Sequence, residues 1–563
     1  MDHAEYDGLN ARAAVGVLIE PGTIARGRPN LDTTCTPMRR VCWRGFVYKP
    51  GSKAGADSLS ELTTAREEDI PRVSARLKGS YFVAVHCEES GNTHAFVDPA
   101  GLYHAYYSQK RIGTSFLELC TLEHCSADDI DPEALVEFFH FGAIFGDRTF
   151  FQAIRRIGSE TVLRSNRSGI VRLARPVADI GERPQGTFKS LLRELVVAAR
   201  DERVSVDITG GADTRLLAVA LAYLGMPFEM ATSGRPALED IEIGAKVAEV
   251  LGRPYYPTYH SARRVDWEEL FFRSDGIFDV ARNSRLIQLQ HDRKSRGMTL
   301  SISGAAGEFF RETWWMHDFP LYVRRKARLS GMYSLHVAPS PLEHRLLHRQ
   351  YRPISNGQRE MFLRRFSRHV VPGATRTYDQ LYYYFAVRTW AGGFVSSSAD
   401  LVNVSVPYAD RDVVRIGYHR PRLERMLGGF HRKITTKYSR EAAKVPTTEA
   451  GASLEAGAWP VSIDLWRFVM DRSQRFLTKM SARAFGKTYL QANPDDPDVL
   501  SDLLRTLSMR KSTEALADYG VLSQAFAAHA LPRRYAGRIF VLDRLFEHLS
   551  QTTEERSLEK TYG

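Results

Sequence analysis

Long apolar runs are missing from the chain. The longest, Leu216 to Phe228, is about a dozen residues, against the ~20 that a bilayer core requires. Cysteine is scarce: Cys35, Cys42, Cys87, Cys120 and Cys125 all lie in the first quarter and are too scattered for a disulfide framework. His124 lies beside Cys120 and Cys125, but no second half-site accompanies them, so free thiols are expected rather than zinc ligands. A basic start followed by an apolar core is also lacking. The opening MDHAEYDGLNARAAVGVLIEP carries Asp2, Glu5 and Asp7, so no secretory signal is read and cytoplasm is the expected location. Internal repeats and low-complexity tracts are absent.

What is present is ordinary globular material, 43% apolar and 25% charged over 563 residues. That length allows about three to five domains. Lys and Arg number 77 against 66 acids, a formal charge of +11. The excess is spread in short clusters such as Arg324-Arg325-Lys326, which suits a solvated surface or a polyanionic ligand.

Residues 1–175 read as β-rich. Tyr81 to Cys87 and Asn92 to Asp98 are strands around a Glu89-Ser90-Gly91-Asn92 turn, with further strands at Arg44 to Tyr48, Tyr103 to Ser108 and Thr161 to Arg164. Arg175 to Gly186 is polar and reads as a linker. The pattern then changes to helix (Thr187 to Ala199), strand (Val204 to Ile208), helix (Thr214 to Leu224), strand (Pro227 to Thr232), helix (Glu239 to Leu251) and strand (Met298 to Ile302). Alternation with short joints predicts a parallel, doubly wound sheet. Residues 320–450 are mixed and largely helical. Amphipathic helices are expected at Asp464 to Met480, Val499 to Met509 and Thr513 to Ala528.

The most informative segment is Thr209-Gly210-Gly211-Ala212-Asp213-Thr214-Arg215, between a buried strand and a helix. Its glycines let successive N–H groups turn inward as an anion nest, and the helix N-terminus adds partial positive charge. Thr209 and Thr214 offer hydroxyls to phosphate oxygens. Asp213 is a poor phosphate neighbour unless Mg2+ lies between them. The bland alternative is a tight turn in which Asp213 caps a helix. The Lys of the kinase-type phosphate loop is absent.

This heptapeptide resembles the S-G-G-x-D-S pyrophosphate loop of the asparagine synthetase superfamily. About ninety residues on, Ser301-Ile302-Ser303-Gly304-Ala305-Ala306-Gly307-Glu308-Phe309-Phe310 resembles the family's S-G-x-G-[GS]-D-E-x-F strand end, with Glu308 in place of the metal-binding Asp and Ala305 where many members carry an acid. Met230 to Gly234 resembles the adenosine-contacting turn. Phe278-Asp279-Val280-Ala281-Arg282 resembles the acceptor-pocket stretch, and Val406 to Asp410 the R-x-P-F-L-D segment without its Arg. Leu77 to Val85 and Val97 to Tyr107 resemble the L-x-G-x-F-A-F-A strand and the D-x-x-G-x-x-P-L-Y-Y segment of the family's amidotransferase domain, and Gly146 to Ile157 resembles its entry into the linker.

The resemblance covers about residues 40–450. It implies an α+β, Ntn-hydrolase-like amidotransferase layer pair over 1–175 and an α/β PP-loop (adenine nucleotide α-hydrolase-like) synthetase domain over 187–450. A helical extension follows over 451–563. It implies ATP at Thr209, Gly210, Gly211, Asp213, Thr214, Gly234, Ser303 and Gly304, and Mg2+ on Asp213 and Glu308. Asp279 and Arg282 line the implied substrate pocket. For the lysine that faces the leaving phosphate, the choices are Lys433, Lys437 and Lys444. Distance along the chain favours Lys444, which otherwise reads as a surface lysine at a helix end. Tyr255, Tyr256, Tyr259 and His260, like Trp314-Trp315, read as core packing and pocket rim or as acceptor recognition.

The activity so implied is AMP-forming amide-bond synthesis, in which a small-molecule or peptide carboxylate is adenylated and then attacked by an amine. β-Lactam synthetase-like or lasso peptide cyclase-like ring closure stays open, as does a homodimer. A PP-loop tRNA-modifying enzyme is a further alternative, disfavoured by the amidotransferase-like half. A non-catalytic scaffold is the last. No membrane partner is expected.

The superfamily's glutaminase uses an N-terminal Cys whose own α-amine is the base. Position 2 here is Asp2, and the first cysteine is Cys35. Glutamate release from glutamine by the purified protein is therefore expected to match a no-enzyme blank. Release above the blank that persists in Cys35→Ala would overturn this.

Overall fold

A computed structural model of the chain describes residues 17–235 (without 21–22 and 25–31), 238–311 (without 262–264), 327–448 (without 328 and 341), 452–457, 461–463, 465–466, 469–470, 497–524 and 531–562. Trp314-Trp315, most of the expected Asp464 to Met480 helix and the end of the Thr513 to Ala528 helix lie outside the described residues.

Among the described residues, the first half contains eleven strands: β1 (Leu18–Glu20), β2 (Thr23–Ile24), β3 (Asp32–Thr36), β4 (Arg39–Tyr48), β5 (Lys78–Cys87), β6 (Thr93–Val97), β7 (Tyr106–Tyr107), β8 (Ile112–Gly113), β9 (Arg155–Arg156), β10 (Thr161–Asn166) and β11 (Gly169–Ala174). They form two antiparallel sheets, ordered β11-β10-β6-β5-β4-β3 and β2-β1-β8-β7-β9. Alternation along β5 shows why the layers stack. Tyr81, Val83 and Val85 pack with Leu59 and Leu62 of helix α1 (Ala56–Thr64) and with Ile70 and Val73 of α2 (Ile70–Ser74). Phe82 and Ala84 face the other way, onto Val17, Ile19 and Ile112 of the second sheet. The far face of that sheet, through Leu18 and Tyr106, packs on α3 (Phe116–Leu122) and α4 (Pro132–Phe141). The order of layers is helix, sheet, sheet, helix.

The strand reading of residues 1–175 overlooked these helices. In α4, Leu135, Val136, Phe138 and Phe139 are buried almost all round, which hides the helical period. Its ends are nevertheless well marked: the Asp131 carboxylate accepts from Glu133 and Ala134 N–H, Pro132 opens the helix, and Gly142 (φ 73°) closes it. The expected Tyr103 to Ser108 strand shrinks to β7. The buried Asp98 carboxylate takes the N–H groups of Ala100, Leu102 and Tyr103 (3.1, 3.0 and 2.8 Å), folding that stretch into a turn.

After β11, the side chain of Arg175 is buried and donates to the carbonyls of Ser74, Val97 and Ser159. Ile180 is also buried, so the continuous exposed stretch of the expected linker is 181–186, with Pro176 and Asp179 exposed before it. Helix α5 (Phe188–Ala198) then leads into a five-stranded parallel sheet of β12 (Val204–Asp207), β13 (Glu229–Gly234), β14 (Tyr255–Tyr259), β15 (Leu300–Ile302) and β16 (Asn403–Ser405). Its order is β14-β13-β12-β15-β16, so the winding direction reverses between β12 and β15. The crossovers are α6 (Ala212–Tyr223), α7 (Glu239–Val250) and α8 (Val280–Ser295).

The two halves share charges and core. Arg411, buried, donates to the carbonyls of Pro99 and Ala178 (2.8 and 3.0 Å). Lys78 pairs with Asp412 at 2.9 Å and with Glu194 at 3.1 Å. The final helix, α10 (Ala536–Tyr562), is part of the same hydrophobic cluster as α4, with Tyr535 stacked on Phe139 at 4.8 Å. Among the described residues, no helix is long and apolar enough to cross a membrane.

Endoproteinase Glu-C is expected to cut after the exposed Glu182 before it cuts after Glu229, which is buried at the start of β13. Fragment masses over a digestion time course check this; early cleavage after Glu229 would contradict the packing described.

Candidate functional site

In a doubly wound sheet, the ligand crevice lies beyond the carboxyl ends of the strands, where the strand order reverses. Here that is the gap between β12 and β15, and two loops of small residues leave the sheet on its two sides. They touch. A Cβ on Gly304 would lie 2.6 Å from Thr214 Cγ2 and 3.0 Å from its backbone nitrogen, and one on Gly307 would overlap the Asp213 side chain. Glycine at both positions is what allows the second loop to lie on the first. Ala306, between them, holds φ +68°, a left-handed conformation that costs a side-chain-bearing residue about 1–2 kcal/mol.

The first loop is closed on itself. Thr209 N–H donates to Thr214 Oγ1 at 3.1 Å, the two hydroxyls lie 3.0 Å apart, and Gly211 N–H donates to Thr209 Oγ1 at 3.2 Å. Gly210 N–H donates to Asp240 Oδ1 at 2.8 Å, so the loop already holds an anionic oxygen, that of the α7 N-terminus. Thr448 covers it: its N–H donates to the Gly210 carbonyl at 3.2 Å, and its hydroxyl donates to Asp240 at 3.3 Å. Arg215, fully buried, ties the covering segment down by donating to the carbonyls of Val445 and Pro446 as well as Gly210.

Asp213 lies under this loop, buried. Arg311 Nη2 is 2.6 Å from its Oδ2, and His431 Nε2 is 2.8 Å from its Oδ1. Burial alone would raise the Asp213 carboxyl, but the Arg311 charge and the His431 contact outweigh it and hold the group down at about 2. Tyr382 OH donates to Glu308 Oε2 at 2.5 Å. Burial first, and then the negative charge of Asp213, raise the Glu308 carboxyl. Tyr382 opens a ten-residue π-helix, Tyr382–Ala391, a form that is rare and concentrates at functional sites.

Asp213 and Glu308 were the expected Mg2+ ligands. They do lie together, but Arg311 Nη2 and His431 Nε2 already face the two Asp213 oxygens, so this arrangement leaves Asp213 no free oxygen for Mg2+. The chain supplies its own positive charge there. Lys444 is a correction of another kind. Its ammonium pairs with Glu441 at 2.6 Å on a half-exposed helix end, whereas the groups facing Asp213 are Arg311 and His431. Lys433 and Lys437 are exposed as well.

Ser303 is buried at the end of β15, where its N–H donates to the Ser405 carbonyl at 2.9 Å. Gly234 and Arg282 border one cavity of about 180 Å³, together with Leu238, His260 and Leu500. The Arg282 guanidinium stacks over Trp390 at 3.8 Å. Asp279, expected in the same pocket, instead caps α8 through Ala281 N–H (3.1 Å) and pairs with Arg538 at 3.2 Å, which spends its carboxylate on anchoring α10. Tyr256 and Tyr259 are exposed, while Tyr255 OH donates to the Ile241 carbonyl at 2.9 Å.

Arg311, His431, Tyr382, Asp240 and Thr448 escaped the sequence reading. Arg311 follows the Glu308-Phe309-Phe310 motif directly and could have been found by extending it one residue. The others come from distant segments with no local signature. No protein-family model matches the chain, and no curated protein matches it.

The sequence alone predicts that Asp213→Asn leaves the fold intact. The geometry predicts otherwise, because the substitution leaves Arg311 and His431 facing a neutral group. A loss of roughly 2–4 kcal/mol is expected in denaturant unfolding at neutral pH. Since the carboxyl is depressed to about 2, its stabilisation is complete above the ordinary carboxylate range and is lost as pH falls from about 4 toward 2. The stability difference between wild type and Asp213→Asn should shrink over that window. A variant as stable as wild type at pH 7 would refute the ion cluster.

Proposed function

We propose that the protein is an ATP-dependent, AMP-forming carbon–nitrogen ligase of the asparagine synthetase-like kind, without glutaminase activity. The observation that carries this reading is the contact of two small-residue loops at the sheet's switch point, with an anionic oxygen already held on Gly210 N–H. In this reading the stacked antiparallel layers are a degenerate, Ntn-hydrolase-like amidotransferase domain, and the parallel sheet is a PP-loop domain.

The pyrophosphate of ATP takes the place of the Asp240 carboxylate at the loop, against Thr209, Gly210, Gly211 and Thr214, with Ser303 and Gly304 across from it. This requires the Thr448 segment to lift. The adenosine end is directed to Gly234 and its cavity. A substrate carboxylate oxygen attacks the α-phosphorus, the bond to pyrophosphate breaks, and an acyl-adenylate forms. An amine then attacks the acyl carbon, loses a proton and expels AMP. Arg311 is the cation placed to balance charge developing near Asp213, the part that Lys444 was expected to play, and His431 lies beside it on the other Asp213 oxygen. Aligning carboxylate and nucleotide in a closed crevice supplies the remaining advantage.

The closure of the loop by Asp240 and Thr448 favours one second reading, a non-catalytic scaffold on the same fold. ATP–pyrophosphate exchange, run with a panel of small carboxylates and peptides, separates the two. Exchange with at least one carboxylate is expected, reduced about 10- to 100-fold in Thr209→Val. Absence of exchange, together with no binding of a fluorescent ATP analogue at millimolar concentration, would leave the scaffold.

A further inference from the structure

A second cluster lies in the antiparallel half and is independent of the ligase reading. Strands β5 and β6 pair with Val85 opposite His94 and His86 opposite Thr93. Cys87, two residues beyond Val85, therefore emerges on the same face as His94. That face is covered by α1 and α2, and the 3-10 turn joining them, Glu67–Asp69, brings Glu67 over the pair. One sulfur, one imidazole nitrogen and one carboxylate oxygen come within 4.8 Å of one another. Among the described residues, these three form the one such group of His, Cys, Asp and Glu side chains.

We propose that Glu67, Cys87 and His94 form a zinc site with three protein ligands and a fourth position open to solvent. The donor set is the argument for the metal. Thiolate and imidazole with a single carboxylate suit Zn2+, whereas Ca2+ and Mg2+ take oxygen ligands. Charge balances too: a divalent ion with one thiolate, one carboxylate and a neutral imidazole is neutral overall. A neutral site is tolerable beside Arg39, which pairs in register with Cys87. The ligands are held from behind. Ser90 Oγ and Asn92 Nδ2 both donate to the Glu67 carboxylate at 2.7 Å, and His94 Nε2 lies 2.9 Å from it. The nitrogen that would share an ion with Glu67 is therefore Nε2, which already faces that carboxylate. Glu67 and Cys87 also border a groove of about 610 Å³ with Thr36, Arg39 and Thr63, which gives a water access to the fourth position.

Binding displaces the thiol proton to solvent and forms the zinc–sulfur bond. Zinc competes with that proton for the sulfur. The ion would staple the α1–α2 connector to the β5–β6 hairpin.

The test uses the full-length protein, stripped with chelator and titrated with Co2+ and then Zn2+. One ion per chain is expected, with a near-ultraviolet thiolate-to-cobalt band. That band should vanish in Cys87→Ser and persist in Cys35→Ser, whose thiol is exposed and apart from the cluster. Glu67→Gln, at a half-buried position that should still fold, is expected to weaken Zn2+ binding about 10- to 100-fold. Failure of the wild type to retain stoichiometric zinc against a weak chelator would overturn the site. So would a thiolate band that survives Cys87→Ser, or unchanged zinc affinity in Glu67→Gln.

Discussion

Asp213, with Arg311 and His431 on its two oxygens, ties together the parallel-sheet half. The carboxylate stands at the start of α6, Arg311 ends the second loop, and His431 lies on α9 (Gly429–Tyr438). A buried ionic group is costly unless it is paired, so fixing one of the three fixes the others. Tyr408 adds a fourth segment by donating to the Asp213 carbonyl at 3.1 Å. Four stretches far apart in the chain thus meet at one charge. The apolar packing around them, such as Phe310 on Phe430 with centroids 4.5 Å apart, follows from that meeting.

The loop above the cluster shows the same economy of charge. A backbone nest without an anion would leave N–H groups unsatisfied in a half-buried crevice. Asp240 fills Gly210's N–H, and Thr448 and Arg215 close over it. A resting state of this kind protects a polar site from water and sets what a ligand must displace. Glu308 contributes the opposite tendency. Its raised carboxyl beside a firmly ionised Asp213 leaves the pair short of positive charge on one side.

Much of the parallel half was legible because its signals are local. Val204 to Ile208, Thr214 to Leu224 and Glu239 to Leu251 carry their period and their Gly225 or Gly252 stops in the sequence itself, and the elements observed differ from them by a residue or two. The order of strands could be read as doubly wound, and hence the place of the two glycine loops. The antiparallel half was legible in its long strands but not in its helices, since a helix buried on all sides has no polar stripe to betray it. Side-chain partners were the least legible. Lys444 was favoured by distance along the chain, and distance carries no information about which way a lysine points. Asp279 lay in a motif, but the partner that claims its carboxylate, Arg538, is far downstream. The charge on Asp213 was readable as needing a cation; that Arg311 would supply it, with His431 on the other oxygen, was decided by tertiary packing.

The place of α10 has a consequence for how the molecule is made. Phe138, Phe139 and Leu135 of α4 belong to one cluster with Ile539, Phe540 and Leu542, and Arg538 donates to the carbonyls of Phe139 and His140. During synthesis the first half leaves the ribosome long before the last helix exists. Until then α4 presents an aromatic surface with nothing to cover it. The early half of the nascent chain therefore carries an apolar face that its own residues do not cover, and termination a few dozen residues early would leave that face bare although every residue around α4 has been made.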